Sequence, residues 1–341
     1  MSEIRKQPHI PALDGWRGLA ILIVLMGHFG GERVFPGLAS AGVDLFFVLS
    51  GRLMAEILFV RRTPLRLFFF RRFSRVYPVL LTFVFVTAIV LSRTSLSPGV
   101  VGVLSALTFT LNYVIIESRT FISVFDHIWS LCVEEHSYVL LAIVALLFRG
   151  AAVRFIGLVI LVLGLAALAN GIVQYDIYGR NWFIVFWPTD AAAAPIMISA
   201  AVFLLVGKHL NRPSMRWILP LALFAGLAAC LFGNAAWIFF GAKTLLLAIA
   251  VCAIGISNGF SRALFEGPII RQIGRMSFSL YIWQQPFFIA AVKGLLPQPL
   301  ALASGLCCGV ISFYLIEQPA RSRLNGWIGK GGAQGAVTVA N

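Results

Sequence analysis

In a chain of 341 residues, 60% belong to the set AVILMFWYC and only 12% are charged, about half the charge that a soluble domain carries. Apolar runs of about 17–25 residues, the length a helix needs to cross hydrocarbon, recur from end to end and exclude a water-soluble globule. The net charge of +14 does not indicate nucleic acid, because the basic residues stand in short clusters between apolar runs, as positive loops that orient a membrane protein do.

The apolar runs predict helices at 13–30, 42–60, 77–92, 98–116, 127–148, 154–173, 190–207, 216–233, 235–256, 276–294 and 298–316. The first run is too long for a cleaved signal peptide and lacks a small-residue cleavage pattern, so it reads as a retained helix. It opens LDGWRGLA from Leu13 and stays apolar to His28. Arg17 and His28 are eleven residues apart, three turns plus roughly 20°, so they share a face about 16 Å apart along the axis. Asp14, three residues before Arg17, is placed to pair with it. In the second run Arg52 and Glu56 have the i,i+4 spacing of a structural ion pair.

The segment 61–75 follows with Arg61, Arg62, Arg66, Arg71, Arg72 and Arg75. If it is helical, Arg72 and Arg75 fall on one side and suit a double clamp for phosphates. The run 98–116 begins at Pro98-Gly99 and carries Thr108, Thr110 and Asn112, which favours a re-entrant or buried segment over a full span. The next helix opens His127-Ile-Trp-Ser-Leu-Cys-Val-Glu-Glu-His136, with Ser130 and Glu134 one turn apart and Asp126 as a candidate N-cap. The aromatic loop 174–189 reads either as an interfacial belt or as a surface that stacks a sugar. The five cysteines all lie in apolar runs without metal-ligand spacing and read as inert buried thiols; no metal is expected.

Placing the basic loops in the cytoplasm requires an even number of crossings between residues 75 and 149. The expected fold is therefore all-α: a polytopic membrane bundle of about ten transmembrane helices plus the re-entrant or buried segment, both termini cytoplasmic, in the inner (plasma) membrane. Residues 1–323 form a single transmembrane domain, and the Gly-rich tail 324–341 is expected to be disordered.

Charged and polar groups inside lipid are costly and mark functional sites. Those above belong to a set of landmarks in fixed order: LDGWRGLA with Arg17-x10-His28, GVDLFFVLSG (42–51), Arg72-x-x-Arg75, WSLCVEEHSY (129–138), GRMSFSLYIWQQP (274–286) and YLIEQPARSR (314–323). Together they resemble the acyltransferase type 3 family, integral membrane enzymes that acylate O-antigens, exopolysaccharides, lipochitooligosaccharides and macrolides, and the resemblance runs from Leu13 to about Arg323.

The resemblance implies transfer of an acyl group, usually acetyl, from cytoplasmic acyl-CoA to a hydroxyl of a carbohydrate or related envelope or secreted acceptor. His28 would be the general base, in a direct transfer or by way of an acyl-histidine intermediate; Arg17 oriented by Asp14 would stabilise developing charge or line the path of the pantetheine arm, and Glu134 would orient His28 or bind the acceptor. Arg72 and Arg75, with Arg71 and Ser130, would hold acyl-CoA. Trp129, Tyr281 and Trp283 are candidate acceptor contacts. Two departures stand out. Gln284 and Gln285 follow Trp283 where members often have histidine, so no acid–base work is assigned there, and Arg52 replaces a usually apolar residue, which would alter the pocket.

Two other classes use buried Arg, His and Glu: a transporter of a small molecule or lipid-linked glycan, and a non-catalytic scaffold. The spacing of polar positions shows no inverted repeat and the charged positions cluster in the first 140 residues, which favours the enzyme.

Overall fold

In lipid no water satisfies the backbone, so each segment must bond its own N–H and C=O groups; among the described residues every element is helical and none is a strand. The computed structural model describes residues 10–255 and 259–326. The first nine residues and the expected tail beyond residue 326 lie outside the described residues.

The helices are α1 (Pro11–His28), α2 (Leu38–Ala55), α3 (Leu65–Val90), α4 (Gly99–Leu107), α5 (Leu111–Ser118), α6 (Ile128–Leu147), α7 (Val153–Tyr178), α8 (Thr189–Ala192), α9 (Ala194–Leu210), α10 (Ile218–Phe232), α11 (Lys243–Cys252), α12 (Gly259–Phe265), α13 (Pro268–Val292) and α14 (Gln298–Ser312). Proline sits in the first turn of α1, α9, α13 and α14, where its missing N–H costs nothing. Wider turns continue α2 through Glu56–Val60 and α14 through Phe313–Glu317.

Six helical stretches are long and apolar enough to cross a membrane: Leu65–Val90, Ile128–Leu147, Val153–Tyr178, Thr189–Leu210, Pro213–Phe232 and Gln298–Gly326. Their outward side chains are apolar and open, with Ile89 71%, Leu221 68% and Leu315 72% exposed, an arrangement that suits lipid as solvent. Helices α1 and α2 pack on one another, α1 also on α13 and α2 also on α9. Trp16 is fully buried there and donates its indole N–H to the Leu45 carbonyl at 2.9 Å. Two buried pairs match charge there, Lys243 with Asp44 at 2.6 Å and Arg52 with Glu56 at 3.5 Å, since an unmatched charge is strongly destabilising.

Three differences from the expected boundaries have physical causes. The helix expected from residue 77 starts at Leu65, because no helix breaker lies between Pro64 and Pro78; the arginine segment is its first turns. The run 98–116 breaks at Phe109, whose φ is +56°. The resulting helices of nine and eight residues are each about 12–14 Å long, too short for hydrocarbon about 30 Å thick. The chain beyond α5 returns to α4, where Ile122 packs against Gly102. Finally, α13 begins eight residues before the expected 276, behind the unforeseen α12.

Helices α1 and α13 cross on glycines. A Cβ at Gly274 would stand 1.7 Å from the Asp14 carbonyl oxygen, and one at Gly18 would stand 2.2 Å from that of Ile270. Because these atoms are backbone, the helices themselves would have to part. From this crossing both chains run the same way for about three turns, which brings His28 to Gln284. Gly274→Ala is expected to cost about 3 kcal/mol or more by overpacking, read as a lowered melting temperature and loss of monodispersity in detergent. Gly259→Ala, with nothing within 4 Å of its Cβ, should melt like wild type; equal melting of the two variants would contradict the crossing.

Candidate active site

Helix α1 presents Arg17 and His28 to two different cavities. The first, of ≈ 90 Å³, is lined by Arg17, Ser50, Arg72, Arg75, Ser130, Glu134, Tyr138 and Tyr281 among others. The second, of ≈ 220 Å³, is lined by His28, Asp126, His127, Trp129, Trp187, Tyr281 and Gln285 among others. Val43 and Tyr281 line both and form their common wall. Tyr281 is fixed there, since its hydroxyl donates to the His127 carbonyl at 2.8 Å and meets Ser130 Oγ at 2.8 Å.

In the arginine cavity, α3 and α6 supply an interlocked set. Arg72 donates from Nη2 to Glu134 at 2.8 Å and from Nε to Glu135 at 2.6 Å. Its guanidinium lies 4.4 Å from the Tyr138 ring centroid, a cation–π contact. Glu134 also accepts from Ser50 Oγ at 2.6 Å and from the Tyr138 hydroxyl at 3.2 Å. Arg17 pairs with Asp14 at 3.4 Å, as the i,i+3 spacing predicts.

Arg75 makes no ion pair within 4 Å among the described residues; Arg17 and Arg321 are like charges close enough to act on it, against Glu317. Three arginines gathered around a partly buried space suit an anion. The structure thus brings Arg17, Arg72, Arg75, Ser130 and Glu134 to one cavity and leaves Arg71 exposed outside it. Arg52, held by Glu56, lines neither cavity.

In the histidine cavity, His28 Nδ1 meets Gln284 Oε1 at 2.9 Å, and the ring stacks on Phe288 at 4.4 Å. Glu134, bonded to Ser50, Arg72 and Tyr138, makes no hydrogen bond to His28, whose partner is Gln284. His127 is 5% exposed and neither ring nitrogen makes a hydrogen bond of normal geometry, the Ile282 backbone being its polar neighbour. The Trp187 indole N–H is likewise buried without a partner, and that ring stacks on Trp129 at 6.1 Å. Asp126 is not the cap of α6. In the loop before that helix it accepts from the Ile122 N–H at 2.8 Å, and burial pushes its carboxyl up to about 7, so near neutrality it is available as a donor as well as an acceptor. Trp129 and Tyr281 line this cavity, whereas Trp283 packs on Phe83 away from both.

Four contributors lay outside the sequence expectation: Ser50, Tyr138, Gln284 and Arg321. The signal for Gln284 was in the chain, since two consecutive amides inside an apolar helix are as anomalous in lipid as His28. Ser50 and Tyr138 gave no signal, because hydroxyls are common in such helices. Among the described residues no group of three or more His, Cys, Asp or Glu is placed to hold a metal.

The chain is similar to the O-acetyltransferase OatA of Staphylococcus aureus strain NCTC 8325 / PS 47, with 25% identity over 92% of this chain and 58% of that protein. OatA of strain COL matches with the same identity and coverage. The chain therefore spans less than two thirds of the length of these relatives. No solved structure matches it. A family model described as an acyltransferase domain matches residues 10–317, nearly all of the described chain and every landmark that lines the two cavities, and the protein belongs to the acyltransferase type 3 family.

Proposed function

We propose that this protein is a multi-pass inner-membrane O-acyltransferase that moves an acetyl group from acyl-CoA to a hydroxyl of a carbohydrate or related envelope or secreted acceptor. One observation carries the reading: α1 faces a cationic cavity with Arg17 and a second, aromatic cavity with His28, and Val43 and Tyr281 line both. The arginine cavity takes the donor from the cytoplasmic side. Arg75 and Arg17 receive its negative charge, and Arg72 is held rigid by its two carboxylates. The histidine cavity takes the acceptor. Its walls of Trp129 and Trp187 suit a pyranose face, and Asp126 and Gln285 in the same lining are polar groups that suit a hydroxyl-rich ligand.

In the transfer itself, His28 removes the acceptor hydroxyl proton as that oxygen attacks the thioester carbonyl carbon. The C–S bond breaks, the CoA thiolate leaves, and the proton held on His28 passes to it, regenerating the base. The topology that goes with this reading has ten spans and both termini in the cytoplasm, with α4 and α5 as a re-entrant pair. The return of Ile122 to Gly102 supports the last of these.

The test is release of free CoA from acetyl-CoA by protein reconstituted in lipid, with a crude envelope-glycan acceptor. Arg75→Ala is expected to raise KM for acetyl-CoA about tenfold or more, the loss of one charge-assisted hydrogen bond, with kcat little changed. An unchanged KM would remove the donor from the arginine cavity. Flux of acceptor across the bilayer without CoA release would make the two cavities a transport path.

A further inference from the structure

We propose that Gln284 and Gln285 form an amide relay, anchored on the Ser123 carbonyl, that locks His28 in the tautomer carrying its proton on Nδ1. Its catalytic consequence rests on the reading of His28 as the base; the relay itself does not.

The direction of every bond follows from the anchor. A backbone carbonyl only accepts, so the group 3.0 Å from the Ser123 oxygen is the Gln285 Nε2, and Gln285 Oε1 points the other way. That oxygen meets Gln284 Nε2 at 3.3 Å, which leaves Gln284 Oε1 as the atom 2.9 Å from His28 Nδ1. An amide oxygen cannot donate, so Nδ1 must. The opposite tautomer would set two lone pairs against each other at that distance. Its cost would be high, because Gln284 and Gln285 are 0% and 4% exposed and no bulk water competes for either amide.

Packing holds the relay closed. The imidazole is stacked within 12° of parallel on Phe288, so it turns only by losing that contact. On the far side Gly305 of α14 lies against the Gln284 backbone, and a Cβ there would stand 3.2 Å from Gln284 Cα. With Nδ1 spent on Gln284, the lone pair belongs to Nε2, which has no hydrogen-bond partner among the described residues, and His28 borders the histidine cavity. A general base needs its lone pair within reach of the proton it takes before its basicity matters. Gln284 is thus a positioning residue, which presents one nitrogen of His28 at all times from outside the cavity, and Gln285 anchors it while also bordering the cavity.

The experiment uses the full chain, labelled with 15N-histidine and reconstituted in lipid. The His28 resonances are assigned by their loss in His28→Ala, and the ring nitrogen that carries the proton is read by correlation to the ring protons. Wild type should show Nδ1–H. Gln284→Leu and Gln285→Leu should show the Nε2–H form or a mixture, and lower kcat at least about tenfold, a part of the roughly 10²–10⁴-fold that a positioned base contributes, with KM for acetyl-CoA unchanged. Gln284→Glu, which keeps an oxygen acceptor for Nδ1, should keep the Nδ1–H signature even if a leucine variant fails to fold. An Nε2–H signal in wild type, or leucine variants that keep both Nδ1–H and full kcat, would overturn the relay. Should wild type show Nδ1–H while His28→Ala retains full turnover, the relay would stand and the assignment of His28 as base would fall.

Discussion

His28→Ala is expected to lower acyl transfer by about 10²–10⁴-fold, the contribution of a positioned general base, while acetyl-CoA still binds. The separation of effects comes from the geometry. His28 lines the histidine cavity and not the arginine cavity, and about 16 Å of helix separates it from Arg17. The structural cost of the substitution is small beside the catalytic one. The lost side chain is half-buried, and its recorded contacts are one hydrogen bond to Gln284 and stacking on Phe288. The measurement is CoA release by reconstituted protein beside calorimetric binding of acetyl-CoA. Full turnover would show that another group takes the proton. Loss of donor binding together with turnover would show that the two cavities do not divide donor from acceptor.

The second large effect is on stability and concerns Arg72. Glu134 and Glu135 are only 15% and 14% exposed at the side chain, and the Arg72 guanidinium bonds to both. Arg72→Ala leaves two neighbouring carboxylates inside the bundle without that cation, and breaking a buried ion pair from one side costs about 3–5 kcal/mol. A sharp fall in the melting temperature of the ligand-free protein is therefore expected. Glu135→Gln added to that variant should recover part of it, because one of the stranded charges is then gone. A phosphate clamp predicts the reverse: Arg72→Ala would melt normally without ligand and lose donor affinity. The ligand-free melting curve decides between the two roles, and Arg75, which has no such partners, is the better probe of donor charge.

What could be read in advance divides by range. Asp14–Arg17 and Arg52–Glu56 are pairs three and four residues apart, and helical periodicity alone brings such pairs together. The position of His28 was equally plain, since a histidine far into an apolar helix stands out whatever surrounds it. The arginine segment was harder to place. Its polarity suggested a loop, but Phe68 buries its side chain and the stretch joins the helix that carries Val79, Leu80 and Phe83 into the core, so Arg72 and Arg75 enter the bundle.

The chain by itself determined that lipid is the solvent, that the fold is helical, which polar residues are anomalous, and which family it belongs to. These follow from composition, period and local order, which need no partner. Only the tertiary structure decided which groups meet. Gln284 holds His28 across 256 residues of sequence, and Arg72 reaches Glu135 across 63. Those meetings depend on where α1 crosses α13 and where α3 faces α6. The first is set by Gly274 closing on the Asp14 backbone, a fit between two surfaces that no window along one helix contains.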